Sequence, residues 1–380
     1  MIHPQTRVSE ELFVATAAAK KSYFHRGFVL KHSSLARVFE EVKLSLQEHT
    51  GKHIIVVAGP TGVGKTTLAS RLVDHVYQDI VPDWAAAPHC IPAICVELNM
   101  EAGIVFDWKE LYRQVLEELE EPLIDRKCHV ERISNERGGR VLTGKSAGAA
   151  ALRNQMKRAL KDRETQVIVI DELQHLFKHG GRSEQHYEVL KSLSSKTGCT
   201  IIGLGTYELS GMIDWSGQIN RIASYVQFPQ YKFATQEDQQ TFFNAYNGLL
   251  AHTPIDLDAG LMQPDLTFFY VGSCGCVGIL KDWVYRALSR ALAMASPVMT
   301  LEHFEITMLS PKALKRILEE IREGEESFRQ PDYEEIKQEA LGHATGKMKA
   351  GSVPQPNAKV KKKGGKPGYR NPVRDPAYVS

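Results

Sequence analysis

Nine consecutive residues, Gly59, Pro60, Thr61, Gly62, Val63, Gly64, Lys65, Thr66 and Thr67, concentrate three glycines, one lysine and three threonines. Glycines at this spacing let successive backbone N–H groups turn inward around an anion. A helix starting at Lys65 aims the positive end of its dipole at the same point. The stretch fits G-x-x-x-x-G-K-[ST] and follows the apolar run HIIVVAG at 53–59. In that context Lys65 reaches the β- and γ-phosphates of a nucleotide, and the Thr66 hydroxyl ligates Mg²⁺. A second group stands about 105 residues downstream in VIVIDELQHLF, residues 167–177. Four β-branched residues there carry Asp171 and Glu172 to the edge of a sheet. Asp171 holds Mg²⁺ through water and Glu172 polarises the attacking water. The chemistry implied is hydrolysis of ATP, with ATP and Mg²⁺ as the cofactors.

Three further residues fit the same reaction. Thr206 closes TIIGLGT and is placed to bond the γ-phosphate or its attacking water, provided its strand neighbours that of Asp171. Arg221 precedes the last strand, where it can reach a neighbouring subunit's phosphate and make hydrolysis depend on assembly. Lys281, in GCVGILKDW, opens a later helix and is expected to contact the phosphates from above.

These groups need a scaffold. Apolar runs at 53–59, 91–99, 167–171, 200–206 and 224–229 alternate with helical patterns at 65–77, 107–121, 146–161 and 186–196. Continuous apolar strands between helices imply an α/β fold with a five-stranded parallel sheet covered on both faces. From Thr235 the pattern becomes helical, at 235–251, 277–295, 301–309 and 311–323. The expected organisation is a helical N-terminal extension (1–50) and a P-loop α/β ATPase domain (51–232). A small α-helical lid (233–325) and a polar, basic C-terminal tail (326–380), expected to be disordered from Gly342, follow.

Net charge is +2, yet residues 345–380 alone carry seven Lys and two Arg against one Asp, leaving the body at −6 by difference. No apolar stretch approaches the roughly 18–20 residues of a membrane span. The N-terminus lacks the order of a signal peptide, and the six cysteines show no paired spacing, so reduced thiols in a cytoplasmic protein are expected.

GPTGVGKT (59–66), VIVIDELQHLF (167–177), GLGTYEL (203–209), NRIASYVQFP (220–229) and GCVGILKDWVYRAL (275–288) together resemble the AAA+ ATPases. More narrowly they resemble the TnsC/TniB transposition regulators, some of which serve CRISPR-associated transposons. Gln174 and His175 after the carboxylate pair, and Glu208 after Thr206, carry the narrower likeness. Lys281 departs from it, since many AAA+ proteins have arginine there. The resemblance implies an ATP-dependent ring or filament of this chain on double-stranded DNA, linking a target-selection protein to a transposase.

DRKCHVERISNERGGRVLTGKS, residues 125–146, is the candidate DNA segment, with six Lys/Arg against three Asp/Glu. Arg137, Arg140, Thr143 and Lys145 are placed to track phosphates without reading bases. It has no aromatic to stack on unpaired bases, which favours duplex. The basic tail, with Tyr369 and Tyr378, is expected to recruit a partner. A replication-initiator or loader ATPase and a non-DNA signalling scaffold are the alternatives; the first would normally carry a further DNA module after the lid.

Overall fold

The computed structural model describes residues 8–47, 54–98, 106–124, 129–134, 140–145, 148–177, 183–212, 223–328 and 333–344. Met1–Arg329 form one compact unit and Gln330–Ser380 a second.

Strands β1 (Ile54–Ala58), β2 (Ala93–Glu97), β5 (Val167–Asp171), β6 (Thr200–Gly205) and β7 (Ala223–Gln227) build the central sheet, in the order β2-β5-β6-β1-β7. Every pairing in it is parallel, as the unbroken apolar runs require. Successive residues of β1 serve opposite faces. Ile54, Val56 and Ala58 pack with Ile168 and Ile170 in one core, and Ile55 and Val57 with Val169, Ile202 and Leu204 in the other. The decisive feature is β6, inserted between β1 and β5. It brings the end of TIIGLGT beside both the phosphate loop and the Asp171 strand.

The lid is helical, as expected. Its helices run Gln236–Leu250, Leu266–Ser273, Val277–Ala293, Leu301–Thr307 and Pro311–Ser327. Thr235 and Asp238 close a capping box at the first, and Ser310 with Pro311 starts the last. Trp283 is fully buried at the centre, with Nε1 donating to the carbonyl of Phe304 at 2.9 Å.

The N-terminal stretch is shared between two cores. Phe24, on the helix Ala17–Arg26, is buried in the lid cluster, whereas Leu35, Val38 and Val42, on Ser33–Gln47, pack under the sheet. His32 sits at that junction. Its Nδ1 accepts from the Tyr231 hydroxyl at 3.0 Å and the Leu35 N–H at 3.4 Å. Burial, helped by the Arg71 charge, pulls the imidazole down from 6.5 to about 4. A depressed folded value means that the stabilisation is complete above 6.5 and is lost as pH falls through the window toward 4. Between pH 7 and 4.5 the loss amounts to about 2–3 kcal/mol. Urea midpoints of wild type and His32→Gln at those two pH values should therefore diverge, the wild type falling further. Parallel shifts would show that His32 is not titrating in this window.

Two segments differ from expectation. Residues 125–146, read as apolar-poor and irregular, contain an antiparallel hairpin of β3 (His129–Ser134) and β4 (Arg140–Lys145), Ser134 opposite Arg140 and His129 opposite Lys145. β-Branched Val130, Ile133, Val141 and Thr143 favour strand here despite the charge. In the second unit, where a polar tail is expected from 326, Tyr333–Ala344 is helical, with Lys337 paired to Glu334 one turn away. Residues 345–380, including the expected disorder, lie outside the described residues.

Candidate active site

The phosphate loop leaves β1 at Gly59, whose N–H donates to the carbonyl of Gly205 at 3.1 Å. Gly64 has φ of 115°, a conformation reserved in practice for glycine, and it turns the chain into the helix Lys65–His75. Gly62 also has positive φ, and its carbonyl accepts from the N–H of Gly278 at 2.7 Å. A side chain on Gly278 would strike that carbonyl at 2.5 Å. The lid helix thus begins directly against the loop, and only glycine permits the approach.

Lys65 is buried, with Nζ donating to the carbonyls of Gly59 at 3.0 Å and Pro60 at 2.9 Å. Burial lowers its pKa, opposed by the charges of Glu172 and Asp171. The ammonium therefore stays inside the loop, poised over the space where phosphate oxygens would replace the carbonyls.

Thr66 Oγ1 donates to Asp171 Oδ2 at 2.7 Å, and Asp171 Oδ1 accepts from the N–H of Glu172 at 2.9 Å. A hydroxyl and a buried carboxylate in contact form a hard oxygen donor set that suits Mg²⁺. Among the described residues no cluster of three His, Cys, Asp or Glu could hold a metal alone. Thr66 and Asp171 would therefore hold the ion together with phosphate oxygens and water, and the ion would supply charge neutralisation at the γ-phosphate.

Glu172 begins the turn after β5 with φ 56° and ψ 36°, in the left-handed region. That conformation is costly for a residue with a side chain and survives only where its surroundings fix it. The carboxylate accepts from the side-chain amide of Gln174, and His175 Nε2 lies 3.8 Å away. Thr206 follows β6. Its N–H donates to Gln174 Oε1 at 3.1 Å, while its hydroxyl is buried without a partner among the described residues. Pro60, Thr61, Glu172, Gln174 and Thr206 all line one cleft of ≈ 540 Å³. The loop, Glu172 and Thr206 thus line a shared space able to take a γ-phosphate and a water.

A protein-family model described as AAA domain (AAA_22) matches residues 48–213. This part of the chain is an AAA+ P-loop ATPase domain. The fold resembles the ORC2 protein of Aeropyrum pernix in its ADPNP–ADP complexes, at 13% identity over 85% of this chain and 89% of that one, TM-score 0.48. It also resembles Drosophila ORC bound to DNA, at 12% identity over 90% and 88%, TM-score 0.48. Domain III of the Thermotoga maritima replication initiation protein DnaA follows at 11% identity over 79% and 97%, TM-score 0.40. Likenesses this distant assign no partner or substrate. No curated protein matches the chain.

The AAA domain brings Gly59 to Thr66, Asp171, Glu172 and Thr206 together, and Thr67 follows on the same helix. Lys281 is a correction. Its Nζ donates to the carbonyls of Phe28 at 3.2 Å and His25 at 3.4 Å and stands 4.6 Å from the Phe28 ring centroid. Those three partners satisfy the half-buried ammonium and tie the lid to the N-terminal segment, not to the phosphates. Arg221 and Arg137 lie outside the described residues. Arg140, Thr143 and Lys145 are in β4, on the hairpin between the helices Trp108–Glu118 and Ala149–Asp162.

Sequence reasoning missed the far wall of the cleft. The helix Pro311–Ser327 contributes Arg316, Glu320 and Glu323, with Arg316 Nε 3.0 Å from Glu320 Oε1. Gly324 lets it close on Tyr207, whose ring a Cβ at that glycine would meet at 2.1 Å. No short motif marks such a contact; the small residue on an amphipathic helix was its only trace. No helix among the described residues is long and apolar enough to cross a membrane.

Proposed function

We propose that the chain is an ATP-dependent regulator of transposition that assembles as a ring or filament on duplex DNA. In this reading it links a target-selection protein to the transposase, and ATP at a subunit interface holds neighbours together through Arg221. Hydrolysis by Glu172 then weakens that contact, so turnover acts as a timer on the assembly. The observation that carries the DNA part is the β3–β4 hairpin, strands drawn from the 22-residue segment with six Lys/Arg, inserted between β2 and β5. The narrower assignment is supported by the residues that carry the resemblance. Gln174 and Thr206 are hydrogen-bonded to each other beside the catalytic carboxylate.

Non-specific duplex binding of this kind works by counterion release and is read as a slope against salt. Titrating labelled duplex with ATP-loaded protein at several salt concentrations should give a steep negative slope of log K on log salt. Arg140→Ala with Lys145→Ala should weaken binding and make the slope shallower by about 1.8. An unchanged slope and affinity would remove the hairpin from the DNA interface. Co-precipitation of the transposase with ATP-loaded protein tests the partner assignment separately.

A further inference from the structure

We infer that Gln174 is a positioning residue for hydrolysis, a rigid amide strut that fixes the Glu172 carboxylate relative to Thr206. The inference rests on the ATPase domain alone and is independent of any DNA or transposition role.

The amide has two chemically distinct ends, and its surroundings dictate which way it points. A backbone N–H can only donate, so the Thr206 N–H at 3.1 Å must face the amide oxygen. The NH₂ end then faces the opposite way, where it donates to Glu172 Oε2. Both hydrogen bonds are satisfied in a single orientation, and neither survives a flip. Gln174 is only 3% exposed, so water has little access to its amide.

The neighbourhood is shaped around that strut. A Cβ on Gly205 would sit 2.4 Å from Gln174 Oε1, so a glycine ends β6 where the amide crosses it. Two residues earlier on the same face of β6, Leu173 fills the space over Gly203, where a Cβ would meet its Cδ2 at 2.1 Å. The turn carrying Glu172, Leu173 and Gln174 is therefore locked onto β6 at two consecutive gaps. This is what holds Glu172 in its left-handed backbone conformation at φ 56°.

The consequence is a geometric link. Thr206 lines the cleft while its own N–H grips the strut. Any displacement of Thr206 on meeting a γ-phosphate moves the amide, and the amide moves the base. Glu172 is thus aimed by the group that meets the phosphate it must help to cleave. Correct aim of a base matters because a misplacement of about 1 Å can cost about 10²-fold in rate.

Two variants of the full-length protein separate this from mere filling of space. Gln174→Glu keeps an acceptor for the Thr206 N–H but replaces the donor to Glu172 by a second carboxylate. Gln174→Met keeps the length and volume and removes both hydrogen bonds. Both should lower kcat for ATP by about 10–100-fold while the Kd for ATP, which depends on the phosphate loop, changes less than about twofold. If Gln174→Glu fails to fold, Gln174→Met decides alone. Overturning outcomes are a Gln174→Met enzyme with wild-type kcat, or a loss of kcat matched by an equal loss of ATP affinity.

Discussion

Glu172→Gln should lower kcat for ATP hydrolysis by about 10²–10⁴-fold while leaving ATP binding close to wild type. The amide keeps the shape of the carboxylate but cannot take a proton from water. Binding is spared because the phosphate contacts come from the loop and Lys65, on a different strand end. The loss should be large because, among the described residues, Glu172 is the carboxylate that lines the cleft next to β5; Glu208 lines it from the turn after β6, and Glu320 and Glu323 from the helix Pro311–Ser327. Steady-state turnover and binding of a fluorescent ATP analogue check the two halves separately. A variant that turns over at the wild-type rate would show that another group activates the water.

Lys65→Ala should act on the other parameter, raising the Kd for ATP by about 10²–10⁴-fold, from two charge-assisted bonds of about 1.5–3 kcal/mol each. Without nucleotide, Nζ satisfies the carbonyls of Gly59 and Pro60 from inside the loop. Phosphate oxygens compete for that ammonium, and alanine leaves them only backbone N–H groups. The buried Gly59 carbonyl also loses this donor, while that of Pro60 keeps the Val63 N–H at 3.4 Å, so a modest fall in thermal midpoint should accompany the loss. Calorimetric titration with ATP and Mg²⁺ measures the effect. A Kd within about twofold of wild type would place the phosphates elsewhere.

The local parts of this site were legible in the sequence. The loop glycines, Lys65 and Thr66 lie within one run of eight residues, and strand β5 delivers Asp171 and Glu172 by its own apolar run. The five parallel strands were legible for the same reason. What escaped depends on which distant residues become neighbours. Lys281 was read toward the phosphates, but the carbonyls of His25 and Phe28, some 250 positions earlier, claim its charge. Gln174 stood out as a signal of resemblance, yet its role appears only once β6 lies against β5. The 125–146 hairpin was hidden because charged residues masked the β-branched ones, and the helix Tyr333–Ala344 because its polar composition gives little apolar periodicity.

The central claim is that ATP builds an assembly on duplex DNA and hydrolysis takes it apart. Electron microscopy of Glu172→Gln protein with ATP, Mg²⁺ and duplex tests it most directly, because the variant binds nucleotide and is stalled before turnover. Rings or filaments threaded on DNA are expected with ATP and absent with ADP. Dispersed single particles in both nucleotide states, with bare DNA alongside, would contradict the account.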